Sequence, residues 1–175
     1  MKNKALVVID IQNDITKNYK EIIENINRAI DWAAASDMHV VYIQHHNISS
    51  GTRTFKPHTR GAELVSDMKI VSKNIFTKTK GNALTSEGFS SFIAQNMIRE
   101  FFIAGADATA CVKSTCYNMS KAGYTVHVLS DCITSYDKRK INEMLQYYES
   151  KGCVVEKLSE VMDARCDGGN TTPAL

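Results

Sequence analysis

Ala5-Leu-Val-Val-Ile-Asp10, an unbroken apolar run that ends on a carboxylate, decides how the rest of the chain is read. A continuous run of this kind suits a strand covered on both faces, as in a parallel sheet. Working outward, Tyr19–Ser36 carries Ile22, Ile26, Ile30 and Ala33 at helical spacing, so it reads as an amphipathic helix. His39–Gln44 (HVVYIQ) reads as a second strand and Lys69–Phe76 (KIVSKNIF) as a third, more polar one. Ser86–Met97 is a helix with Ser86 as its cap, and Glu100–Ala104 (EFFIA) a strand closed by Gly105. Ala108–Ala122 is a helix stopped by Gly123, followed by a strand at Thr125–Leu129, a helix at Lys138–Ser150 and a short strand at Cys153–Lys157. Strands alternating with helices predict an α/β fold: a mostly parallel sheet of about five or six strands with helices on both faces.

Size and charge narrow the function. The 175 residues fit one domain, residues 1–165, with Cys166–Leu175 as a loose tail. Net charge is +2, with the basic residues scattered among acidic ones, so no stripe suits nucleic acid or an anionic membrane. A small-molecule partner is expected. No apolar run reaches the ~20 residues that span a bilayer, and the opening segment is too short for a secretory signal. The five cysteines, odd in number and irregular in spacing, read as free thiols of a reducing, cytoplasmic compartment.

In a parallel sheet the ligand sits beyond the carboxyl ends of the strands. Three reactive side chains are expected there. Asp10 ends the first strand, Lys78 follows the third, and Cys111 opens the helix after the fourth. A helix N-terminus and a nearby ammonium both lower a thiol's pKa, so Cys111 is expected to be an activated nucleophile. Asp10 is placed to take the thiol proton and return it to a leaving amine. The turn from Ala104 to Ala108 offers free backbone N–H groups for an oxyanion. Cys116 is excluded as a partner, because residues five apart on a helix point about 140° apart; it belongs to the core with Val112 and Met119.

These residues resemble the isochorismatase-like cysteine hydrolases. Leu6-Val-Val-Ile-Asp10-Ile-Gln-Asn-Asp14 is similar to the family's first strand and its DxQNDF turn, and Lys78-Thr-Lys-Gly-Asn-Ala-Leu84 to KxxxSAF. Ala104 through Thr115 is similar to xGxxTxxCVxxT, and Ala122-Gly123-Tyr124 with Ser130-Asp131 to the family's segment after the cysteine helix. The resemblance implies a doubly wound α/β domain with Asp10, Lys78 and Cys111 as a catalytic triad. It further implies a non-proline cis peptide at Ala106–Asp107, and the backbone N–H groups of Asp107 and Cys111 as an oxyanion hole. His46, Leu84 and Ala106 are expected to contact substrate, and a homo-oligomer of two or more chains is implied.

Departures from the pattern select a branch. Relatives that hydrolyse isochorismate typically lack the cysteine, so Cys111 favours cleavage of a small amide or related C–N acyl bond through a thioester. Nicotinamidases carry an Asp-x-His metal motif where this chain has Gln44-His45-His46-Asn47, and adjacent histidines splay to opposite sides of a strand. No metal and no cofactor is therefore expected, and neither nucleotide-binding glycine motif occurs. His45, His46, Phe55 and His58, in or beside the long polar stretch Asn47–Asp67, are positioned to line a pocket. The rival reading is a binding or scaffold member that keeps the fold without turnover.

Overall fold

The computed structural model describes residues 2–166, so most of the expected tail, Cys166–Leu175, lies outside the described residues. One sheet holds β1 (Lys4–Ile9), β2 (His39–His45), β3 (Ile75–Lys78), β4 (Glu100–Gly105), β5 (Thr125–Ile133) and β6 (Val154–Glu156). Every pairing is parallel and the order is β3-β2-β1-β4-β5-β6. The helices are α1 (Ile23–Ala35), α2 (Glu87–Gln95), α3 (Cys111–Lys121), α4 (Ile141–Ser150) and α5 (Leu158–Cys166).

The apolar run of β1 explains the layering. Leu6 and Val8 face a core built with α1 and α5, while Ala5, Val7 and Ile9 face a second core built with α2, α3 and α4. All five side chains are buried, as alternation in a strand covered twice requires. Val112, Cys116 and Met119 lie fully buried in the second core. Because the chain moves outward from β1 to β2 and β3, then returns to β4 on the other side, strand order reverses between β1 and β4. That junction is the topological switch point, where open α/β sheets form their ligand crevice. Gly105 closes it. A Cβ there would lie 2.2 Å from the Ile9 carbonyl oxygen, and its φ is +120°. Only glycine lets the two strand ends meet so closely.

Several boundaries differ from the sequence reading, each for a local reason. The third strand lies at Ile75–Lys78 instead of Lys69–Phe76. Upstream, side chains take over the ladder: Tyr42 Oη donates to the Lys69 carbonyl and accepts from the Val71 N–H, while Ser72 Oγ and Asn74 Nδ2 donate to the Val40 carbonyl. The first helix begins only at Ile23, after 3-10 turns at Thr16–Asn18 and Lys20–Ile22. The helix expected from Ala108 begins at Cys111. β5 runs on to Ile133 past a register shift, and α5, where no helix was expected, is docked through Leu158 and Val161. Ser86 caps α2 as expected, its Oγ accepting from the Phe89 N–H.

Candidate active site

Asp10, Lys78 and Cys111 converge at the switch point. Asp10 sits one residue beyond β1, almost wholly buried, with its N–H bonded to the Ile43 carbonyl. Its φ of +55° is a left-handed conformation that aspartate tolerates better than most residues and that clusters at functional sites. Lys78 is the last residue of β3, and its side chain has no exposed surface. Its Nζ donates to Asp10 Oδ2 at 2.9 Å and to Cys111 Sγ at 3.4 Å. A third contact, 3.0 Å, runs to His45 Nδ1. An ammonium has three N–H donors, and each has an acceptor here. Cys111 is the first residue of α3, at a helix N-terminus.

Burial reshapes the chemistry. It pushes the Asp10 carboxyl above its ordinary value, although the Lys78 ammonium pulls the other way. Burial, reinforced by the Asp10 carboxylate, lifts the Cys111 thiol to about 12 despite the opposing pull of Lys78. This corrects the expectation of a thiol lowered by its helix terminus and its lysine: both are in place, but desolvation and the neighbouring anion outweigh them. Cys111 is thus a thiol at neutral pH, beside a carboxylate of enhanced basicity. A side-chain hydrogen bond joins the Cys111 thiol to the Asp10 carboxylate.

The turn between β4 and α3 is built by Asp107. Its side chain accepts from the Thr109 N–H and Oγ1 at 2.8 Å each, from the Tyr136 N–H at 2.8 Å and from Tyr19 Oη at 2.9 Å. Burial raises this carboxyl, but the Tyr136 and Thr109 N–H bonds outweigh it and hold Asp107 below the ordinary value. The Ala106–Asp107 peptide is cis, as the resemblance implies. The Asp107 carbonyl accepts from the Ala110 and Val112 N–H groups. Among the described residues, the backbone N–H groups of Asp107 and Cys111 donate to no protein acceptor.

Three further residues were expected to contact substrate: His46, Leu84 and Ala106. Ala106 is fully buried in the first core, its N–H bonded to the Ile9 carbonyl. Leu84 packs against the second core. The His46 N–H donates to the Lys78 carbonyl, and its ring lies beside His58. Alternation along β2 sends its neighbour His45 to the triad instead. Gln12 was also missed as a builder of the site. Fully buried, it accepts from the His45 N–H at 2.8 Å and donates to the His45 and Ala62 carbonyls, tying the end of β2 to the long loop. The glutamine inside the DxQND segment was the signal available for it.

Asp10, His45 and Cys111 offer metal-ligating atoms that lie within 4.8 Å of one another. All three are partners of the Lys78 ammonium, so a cation bound there would have to displace or deprotonate that lysine. The donor set fits an ammonium better than a metal.

A doubly wound parallel domain with a thiol, an ammonium and a carboxylate gathered at its switch point is a specific architecture. The chain belongs to the isochorismatase family of hydrolases: the isochorismatase domain pattern matches residues 4–160. It is 26% identical over 140 residues to an uncharacterized isochorismatase family protein of Bacillus subtilis, covering 75% of this chain and 78% of the relative. It is likewise 26% identical over 156 residues to a probable inactive nicotinamidase of Arabidopsis thaliana, covering 74% and 80% of the two chains. The crystal structure of an isochorismatase family protein from Desulfovibrio vulgaris shares the fold at a TM-score of 0.85 and 16% identity, over 94% of this chain and 98% of that one. Among the described residues no helix is long and apolar enough to cross a membrane.

Proposed function

We propose that the protein is a cysteine hydrolase that cleaves a small amide or related C–N acyl bond through a thioester on Cys111. The observation that carries this reading is the Lys78 ammonium bonded at once to the Asp10 carboxylate and the Cys111 sulfur. Substrate carbonyl oxygen enters between the Asp107 and Cys111 N–H groups. The Cys111 proton passes to Asp10 as sulfur bonds to the acyl carbon, and the oxyanion forms where two donors wait. Collapse breaks the C–N bond, and the amine leaves with the proton held by Asp10. Water then attacks the thioester, gives its proton to Asp10, and the acid departs as the thiol is restored. Throughout, the Lys78 ammonium balances whichever of its two neighbours carries the negative charge.

The thiol's high resting pKa supports concerted attack, since a free thiolate is scarce until a carbonyl is in place. That same value, together with a relative described as inactive, favours a second reading in which the fold binds a small molecule without turnover. The hydrogen bond between the Cys111 thiol and the Asp10 carboxylate weighs against it, because it sets the thiol proton beside the group that would receive it. A panel of small amides and ureides, read by intact-mass spectrometry, separates the two. Turnover with an acyl adduct on wild-type protein, and loss of both in Cys111→Ala with an unchanged urea midpoint, is the expected result. Turnover retained by Cys111→Ala would reject the mechanism.

A further inference from the structure

Nothing in the three-residue mechanism requires His45, yet its ring occupies the third position around the lysine. Its Nδ1 lies 3.0 Å from Lys78 Nζ. A protonated lysine can only donate, so Nδ1 must be the bare nitrogen and the neutral ring must carry its proton on Nε2. A bond from the ring to the Lys80 backbone is consistent with that tautomer.

The ring is held from several sides. Its backbone N–H and carbonyl are both bonded to the Gln12 side chain, at 2.8 and 3.0 Å. In the sheet its residue pairs directly with Lys78. The Phe55 ring packs edge-on at a centroid distance of 5.7 Å, and Phe55 is pinned in turn by its N–H bond to Asp14 Oδ2 at 2.6 Å. The titratable groups facing the ring are Lys78, Asp10, Cys111 and His46. Burial, with the Lys78 charge beside it, holds the imidazole below its ordinary value and so in the neutral form.

We propose that His45 is a positioning residue, whose bare Nδ1 fixes the rotation of the Lys78 ammonium so that one N–H each remains for Asp10 and Cys111. This rests on the reading of Cys111 as the nucleophile, and it adds a fourth member to the reacting group. Without the Nδ1 acceptor the ammonium has one buried N–H unsatisfied and is free to turn from the sulfur. The nascent thiolate then loses its countercharge at the distance where that charge matters most.

The test needs no substrate. Iodoacetamide labelling of Cys111 at neutral pH, followed by peptide mass spectrometry, is measured in wild type, His45→Leu and His45→Asn. Asparagine places an oxygen acceptor where Nδ1 stood; leucine places none. Labelling is expected to slow by about tenfold in His45→Leu and to stay within about twofold of wild type in His45→Asn. Leucine at the wild-type rate, or asparagine as slow as leucine, overturns the proposal. Should either variant fail to fold, nitrogen NMR of the wild-type imidazole decides: a proton on Nε2 upholds the assignment, a neutral ring protonated on Nδ1 refutes it. These readouts concern the resting protein alone. The proposal thus fails independently of amide turnover, and an absence of turnover with both readouts intact would sink the amidase reading instead.

Discussion

At the scale of single residues, the buried Asp10–Lys78 ion pair sets the electrostatics of the candidate site and carries a cost. Two buried charges gain from each other but forfeit hydration, so the pair is poor evidence of stability. Removing one partner exposes the imbalance. Lys78→Met is expected to cost about 3–5 kcal/mol at neutral pH, because it strands a carboxylate in the core. Asp10 already binds its proton more tightly when folded than when unfolded. A group raised in this way stabilises the fold fully below its unfolded value, and the contribution is lost as pH rises through the folded one. The penalty of Lys78→Met should therefore shrink as the solution is acidified from neutrality through the raised Asp10 value. Urea midpoints of both proteins across that range check it; a penalty that stays constant would mean that removing the lysine leaves the titration of Asp10 unchanged. The three polar residues themselves were legible in the sequence because each ends or follows a recognisable strand. The height of the thiol's pKa was not, since spacing reports neighbours but not how much water they exclude.

At the scale of elements, legibility followed burial. β1, β2 and β4, buried on both faces, announce themselves as apolar runs, whereas β3 slid by several residues and α5 went unread. Both misses lie where side chains outside the pattern decide: Tyr42, Ser72 and Asn74 replace the ladder ahead of β3, and the Asp131 carboxylate accepts the Leu158 N–H at the start of α5. The long loop after β2 is a similar case. It reads as polar and irregular, yet it is anchored through Asp14, whose N–H donates to the Gly61 carbonyl at 3.0 Å. A Cβ on Gly61 would lie 2.1 Å from Asp14 Oδ1, so the glycine is fixed by that carboxylate. Gly61→Ala is expected to destabilise by about 1–3 kcal/mol, and by much less in an Asp14→Ala background. A double-mutant cycle on thermal midpoints measures the coupling; full additivity would show that the carboxylate does not dictate the glycine.

At the scale of the whole molecule, the site exists only because of strand order. Residues 10, 45, 78 and 111 are remote in sequence, and parallel strands bring their ends to one edge around the β1–β4 junction. The class of fold could be inferred from alternation, and with it the edge where chemistry belongs. The choice of His45 over His46 could not, because it depends on the register that pairs His45 with Lys78. This convergence predicts a pattern of protection. β1 and β4 lie at the centre of the sheet under both cores, while β3 and β6 are edges with Ile75 and Val154 exposed. Amides of β1 and β4 should exchange only through global opening, and those of β3 and β6 through local fraying. Carboxamidomethylation of Cys111 then serves as a minimal acyl-sized occupant. It should slow exchange together at residues 10–12, 45–46 and 105–111, leaving the outer edge of β6 unchanged. Protection confined to α3 would mean that the adduct points away from the switch point, and that the crevice inferred from strand order is not where Cys111 works.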